Sequence, residues 1–395
     1  MFDNDDTIYL DAAATTPLDP DVLAAMMPYL TGSFGNPSSI YQLGQETKAA
    51  IEDARGAVAR VIGARPAEIV FTSGATESDN TALAGVLWSA RFRSPNGPAP
   101  HLITSAVEHH AVLHCAEFLE KQGFAVTALP VDREGFVDPA TVEAAIRPET
   151  ALISIMYANN EVGAIQPITE IGRIAREHGV PFHTDAVQAA GALAIDVHAL
   201  NVDLLSLSAH KFGGPKGVGC LYVRKGVAIE WMQLGGGQEG GRRGGTENVA
   251  GIVGFGTAIQ RAERERSARS VYLRTLRDEL HVKIVAAIPE ARLNGPADGD
   301  RRLPNNLNIA IPGVQGETML LALDMMGISA SAGSACTTGN SAPSHVLLAM
   351  GLSEELARSS LRFSVGPGIT SDDLDDVVSA LTEIVERTRS IGTAR

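Results

Sequence analysis

Five places along this sequence put chemically able side chains directly after a short apolar stretch. Residues 68–71 run into TSGATE (72–77), 101–104 lead to EHHAV (108–112), and 151–156 lead to ANNEVG (158–163). Residues 180–183 lead to DAVQ (185–188), and 202–207 run into SAHKFGGPKG (208–217). The small-residue turn at Gly74, Ala75 and Thr76 opens a helical pattern whose exposed N–H groups and dipole could hold a phosphate, although alone it reads first as an ordinary capped helix start. Asp185 alone likewise reads as a helix cap. Together the five places offer a phosphate cradle, imidazoles, an amide, a carboxylate and Lys211. Pyridoxal phosphate requires that set: an amine for a Schiff base, an acid against the pyridinium nitrogen and a helix N-terminus for the phosphate. His110 and His114, four apart, could pair on zinc, but no HExxH frames them and no third ligand is evident, so no metal is expected. There is no GxxxxGK[ST], and Gly214, Gly217 and Gly219 do not open a dinucleotide-binding unit.

Side chains gathered in this way need strand ends along one rim. Strand candidates at 68–71, 101–104, 151–156, 180–183, 202–207 and 219–223 alternate with helix-period segments such as 168–178, where Ile168, Ile171, Ile174 and Ala175 share a face. Such alternation predicts an α/β fold, a mostly parallel sheet covered on both faces, with ligands bound outside the carboxyl ends of its strands. The Gly-rich run 235–245 (GGGQEGGRRGG) interrupts the pattern, and is either a flexible linker or part of an interface. Beyond it, 248–264 reads as one helix and 266–287 as a separate charged amphipathic segment. A strand at 306–311, a helix near 317–326 and a closing helix from Asp372 follow. The expected division is a large domain at 16–260 and a smaller α+β domain from 1–15 and 261–395.

Composition narrows the function. The 395 residues carry 32 Lys and Arg against 46 Asp and Glu, a formal charge of −14, which disfavours a resident nucleic-acid partner. No apolar run approaches the length of a membrane span, and the acidic start does not read as a secretory leader. Three well-separated cysteines, Cys115, Cys220 and Cys336, form no CxxC pair and argue against a disulfide framework. A cytoplasmic protein is expected.

The motifs LDAAATTP (10–17), FGNPSS (34–39), EIVFTSGATESDN (68–80), VEHHAV (107–112), NNEVG (159–163), HTDAVQ (183–188), SAHKFGGPKGVG (208–219), GGTEN (244–248), SAGSACT (331–337) and SSLRFSVG (359–366) resemble cysteine desulfurases of the NifS/IscS type, in order and over essentially the whole chain. These are fold-type I pyridoxal-phosphate enzymes of the class V aminotransferase superfamily. The resemblance implies that Lys211 holds the cofactor and transfers protons, that Asp185 keeps the pyridine nitrogen protonated, and that Gln188 bonds the phenolic oxygen. It implies that His109 stacks on the ring and assists proton transfers. Gly74, Ala75, Thr76, Ser208 and His210 would bind the phosphate, with Thr246 arriving from the second subunit of a homodimer. Asn160 and Arg362 would hold the substrate carboxylate.

Cys336 would take sulfur from L-cysteine as a persulfide, leaving L-alanine, and pass it to an acceptor protein serving iron–sulfur or other sulfur-compound biosynthesis. Selenocysteine lyase and another class V aminotransferase are the alternatives. Residues 329–342 apart from Cys336 are all Ser, Ala, Gly, Thr or Asn, which bury little apolar area, whereas Cys115 and Cys220 sit in apolar, element-like contexts and read as packing residues. After the cysteine this chain has TTGNSAP (337–343), where relatives commonly carry Leu-Glu-Pro, so the surface that meets an acceptor departs from the family pattern.

Overall fold

The computed structural model describes residues 7–332 and 342–393. Strand β1 (Ile8–Tyr9) is followed by helices α1 (Pro20–Thr31) and α2 (Gln42–Ile62). Strands and helices then alternate: β2 (Ile69–Thr72), α3 (Ala75–Arg93), β3 (His101–Ser105), α4 (His110–Lys121), β4 (Ala125–Leu129) and α5 (Pro139–Ala145). Next come β5 (Thr150–Ser154), α6 (Ile168–Glu177), β6 (Phe182–Asp185), β7 (Leu204–Ser208) and β8 (Gly219–Val223). The remainder comprises α7 (Val249–Ala287), β9 (Arg292–Asn294), β10 (Asn306–Ala310), α8 (Gly316–Met325), β11 (Ile328–Ser329), α9 (His345–Ala349), α10 (Glu354–Arg358), β12 (Ser360–Ser364) and α11 (Ser371–Thr393).

Seven strands form one sheet in the order β2-β8-β7-β6-β5-β3-β4, parallel except for β8, which runs antiparallel to both neighbours. Both faces are buried, and period-two alternation shows it. Leu102, Leu152, Leu204 and Leu221 pack under α3 and α4, while Ile103, Ile153, Leu205 and Cys220 pack against the helices of the other face. Strand β4 escaped the sequence pattern because it is an edge strand whose residues are mostly half-buried, so no continuous apolar run marks it. Cys115 and Cys220 are buried packing residues, and burial raises both thiols, that of Cys115 to about 12.

A second core lies around the antiparallel sheet β12-β10-β9 and helices α8 and α11. Residues 8–10 join it: β1 pairs in parallel with β11, and Leu10 is fully buried there. No helix break occurs near residue 260, contrary to the two segments read from the sequence. Helix α7 runs 39 residues without interruption, placing Phe255 and Ile259 in the first core and Leu273, Leu280 and Ile284 in the second. Its charged stretch is the solvated side between two apolar patches, which a pattern reading mistakes for a boundary.

The Gly-rich run is not a loose linker. Glu239 within it is buried and held in a two-pronged ion pair by Arg55, Nη2 to Oε1 at 2.7 Å and Nη1 to Oε2 at 2.8 Å. The same carboxylate accepts the Phe71 N–H of β2 at 2.9 Å.

Candidate active site

The carboxyl ends of β3, β5, β6 and β7 and the turn after β2 open into one cavity of about 560 Å³. Gly74, Ala75, Thr76, His109, Asn160, Asp185, Gln188, Ser208, His210, Lys211 and Arg362 all line it. Residues up to 288 positions apart therefore meet because parallel strands deliver their carboxyl ends to one rim.

Lys211 stands in the short turn that follows β7. Its Nζ donates to the carbonyls of Ala13 at 2.6 Å and Ala14 at 2.8 Å, in the segment leading from β1. Gln188 Nε2 donates to the same Ala13 carbonyl at 3.0 Å. The glycines after the lysine are required by close approach. A Cβ on Gly214 would lie 2.7 Å from Ala209 Cβ, and one on Gly219 would lie 2.7 Å from Gly74 Cα, forcing the phosphate-type turn away from β8.

Three buried carboxyls, Asp79, Glu108 and Asp185, interact with one another, and Asp79 and Asp185 line the cavity with the lysine. Burial pushes Asp185 up to about 6, against the Val187 N–H at 2.9 Å and the Lys211 charge, which favour its ionised form. Burial also lifts Glu108 to about 8, although it accepts from Ser105 Oγ at 2.6 Å and Met156 N at 3.0 Å. Asp79 is raised well above the usual carboxylate range by burial and by Asp185, and neither of its oxygens has a hydrogen-bond partner of good geometry. His183 Nε2 lies 3.5 Å from Asp79 Oδ1, with Ser154 and Ser206 on its two ring nitrogens at 2.8 and 3.0 Å, and burial holds it neutral, near 3.

His109 caps α4, its Nδ1 accepting the Ala111 N–H at 3.1 Å. A backbone N–H can only donate, so the ring proton of neutral His109 sits on Nε2. Burial first, then Lys211 and the neighbouring histidines, lower it to about 4. His210 is lowered to about 4 by burial and by Lys211, and its Nδ1 meets Thr15 Oγ1 at 3.1 Å. The His110 ring lies between those of His114 and His345, at centroid separations of 4.9 and 4.7 Å and tilted by 40° and 55°. Among the described residues no group has a geometry suited to a metal ion.

At the other wall, Arg362 of β12 is only 1% exposed. It donates to Asp11 Oδ1 at 2.6 Å and to the Asn160 carbonyl at 3.1 Å. Asn159 is engaged in the backbone, donating to the Val107 carbonyl and accepting the N–H groups of Glu161 and Val162, so of the two asparagines Asn160 is the one at the cavity. Glu161 is buried in the same wall and accepts from Ser344 Oγ, the N-cap of α9.

Thr246 is the predicted residue that does not reach this cavity. It lines an adjoining crevice of about 220 Å³ with Glu239 and Arg243, sharing Ser73 and Gly217 with the main cavity. Cys336 lies outside the described residues. Reading the sequence overlooked Glu77, Asp79, Glu108, Glu161 and His345, all in or against the cavity wall. The first four stood inside quoted motifs, where a carboxylate reads equally well as a helix cap, and nothing marked His345.

The residues present fit pyridoxal phosphate. A lysine amine and a buried aspartate face one space, and buried Asp79 lies beside that aspartate in the same lining. The first amides of α3, which have no acceptor within the helix, end it.

A family model described as aminotransferase class-V matches residues 8–377. The chain is 50% identical to the cysteine desulfurase IscS of Clostridium botulinum over 384 residues, 97% of this chain and 96% of that protein. Among solved structures, a NifS-like protein superposes with a TM-score of 0.89 at 37% identity, covering 96% of this chain and 99% of the other. SspA in complex with cysteine superposes with a TM-score of 0.80 at 41% identity, covering 91% and 99%.

Proposed function

The chain belongs to the class V aminotransferase family and is a pyridoxal-phosphate-dependent cysteine desulfurase, and on that premise we propose how its own residues divide the work. When bound, the cofactor supplies an electron sink for negative charge at the substrate's α-carbon. Lys211 holds the cofactor and moves a proton at Nζ, from a position fixed by the Ala13 and Ala14 carbonyls. Asp185 is ionised above about 6 and holds the proton of the ring nitrogen. Gln188 spends one amide hydrogen on Ala13 and keeps the other for the phenolic oxygen. His109 stays neutral with its proton on Nε2, suited to hand a proton across the ring face.

The amides of Gly74, Ala75 and Thr76 with Ser208 and His210 receive the phosphate. Arg362, oriented by Asp11, and Asn160 receive the substrate carboxylate. Cys336 attacks the sulfur of L-cysteine: an S–S bond forms on Cys336 as the substrate's C–S bond breaks, and L-alanine leaves. The persulfide then passes its outer sulfur to an acceptor protein for iron–sulfur or other sulfur-compound biosynthesis.

Two further readings belong to the same proposal. Thr246 stands outside its own chain's cavity, which supports a homodimer in which it serves the partner's phosphate. Phe34, Ile40 and Leu234, exposed by 75, 94 and 86%, supply apolar surface for such an association. No helix among the described residues is long and apolar enough to cross a membrane, and Cys115 and Cys220 are free thiols, which suits a cytoplasmic site.

One observation carries the reading: Lys211 and Asp185, delivered by adjacent parallel strands, share one cavity with Arg362 from the other core. The test compares Lys211→Ala with Cys336→Ser. Lys211→Ala should lose the borohydride-reducible cofactor linkage. Cys336→Ser should keep it but release almost no sulfide or alanine from L-cysteine with reductant present. Near wild-type release by Cys336→Ser would remove that cysteine from its role and turn the reading toward a selenocysteine lyase.

A further inference from the structure

The Gly-rich segment grips the small-residue turn of its own chain at both ends. Before the turn, Glu239 accepts the Phe71 N–H at 2.9 Å while Arg55 pairs with it from behind. After the turn, Glu77 accepts the Ser73 N–H at 2.7 Å and is held by Arg243, Nε to Oε1 at 3.0 Å and Nη2 to Oε2 at 3.4 Å. Residues 72–76, whose amides open α3, lie between the two grips.

Glu77 also lines the main cavity. Burial works to raise its carboxyl, but the Arg243 pair and the Ser73 donors outweigh it and hold it below the usual range, so it is an anion. A carboxylate in the wall of a phosphate site repels the phosphate unless its charge is matched. Arg243 is the group that matches it, and its side chain is only 22% exposed, so solvent screening is limited.

We propose that Arg243 is a positioning residue for the cofactor phosphate: by pairing with Glu77 it removes the repulsive charge and holds the turn in its receiving shape. It acts through Glu77. The proposal rests on the phosphate lying at the N-terminus of α3, as set out above.

The test strips the full-length protein of cofactor and titrates it separately with pyridoxal phosphate and with pyridoxal, which lacks the phosphate. Arg243→Ala should weaken pyridoxal phosphate about tenfold and leave pyridoxal unchanged. Adding Glu77→Gln, which removes the charge but keeps an acceptor for Ser73, should bring the double variant back to within about threefold of wild type. A merely structural role would not produce that rescue, and unchanged pyridoxal binding shows that the variant is folded. Equal loss of both ligands, or a selective loss that Glu77→Gln does not repair, overturns the proposal. Thr76→Ala combined with Ser208→Ala separates it from its premise. If that pair lowers the phosphate preference and Arg243→Ala does not, the Arg243 role falls while the phosphate placement stands. If neither lowers it, the placement falls as well.

Discussion

Replacing Glu108 by glutamine should make the stability profiles of variant and wild type cross as pH rises. The Glu108 carboxyl is fully buried directly before His109, accepting from Ser105 Oγ and the Met156 N–H. Burial, with a contribution from Asp185, lifts it from 4.5 to about 8. The folded protein therefore keeps a proton that the unfolded chain has already released, and stability falls as pH rises between those values, levelling above 8. A gap of about 3.5 pH units at 1.36 kcal/mol each comes to about 5 kcal/mol. Glutamine copies the neutral acid: its oxygen can serve Ser105 and Met156, while its amide hydrogens gain no assured acceptor, at a cost of about 1 kcal/mol. The two profiles should cross near pH 5, where wild type has already lost about 0.8 kcal/mol of this contribution, and at pH 9 the variant should be about 4 kcal/mol more stable. Urea unfolding of the cofactor-free protein, followed by circular dichroism at pH 5, 7 and 9, measures the difference, and the titrating groups that do not interact with Glu108 cancel between the two proteins. Parallel profiles, with the variant losing as much stability as wild type over that range, would refute the reasoning.

Arg55→Ala leaves the buried Glu239 carboxylate without its ion-pair partner, and should cost about 3–5 kcal/mol, whereas Arg55→Met with Glu239→Leu should recover most of it, both read from urea midpoints. Cofactor uptake by the stripped protein should weaken as pH falls through about 6, where Asp185 takes a proton, and Asp185→Asn should flatten that part of the profile in an absorbance titration. His101, His109, His183 and His210 are all held near 3 to 4 by burial. The unfolded chain protonates them below about 6.5, so they lower stability as pH falls from there toward 4, and the thermal midpoint should peak near neutral pH rather than at acid pH.

The alternation of strands and helices and the identity of the chemistry were legible in the order of the residues. Apolar runs mark buried parallel strands, and in such a sheet functional groups stand just after strand ends, so Lys211, Asp185, Gln188 and His109 could be picked out by position. The reach of that order ended where partners are distant in the chain. That Ala13 and Ala14 hold Lys211, that Asp11 orients Arg362, and that Arg55 seats Glu239 are contacts across 184 or more residues, and no local pattern encodes them. The same holds for α7, whose charged middle looks like a boundary until both cores are seen packed along one helix. Carboxylates gave the least away, because Glu77, Asp79, Glu108 and Glu161 look alike on paper as helix caps or surface charges. Burial and the neighbouring donors separate a protonated Glu108 from an ionised Glu77, and those are properties of the packed structure alone.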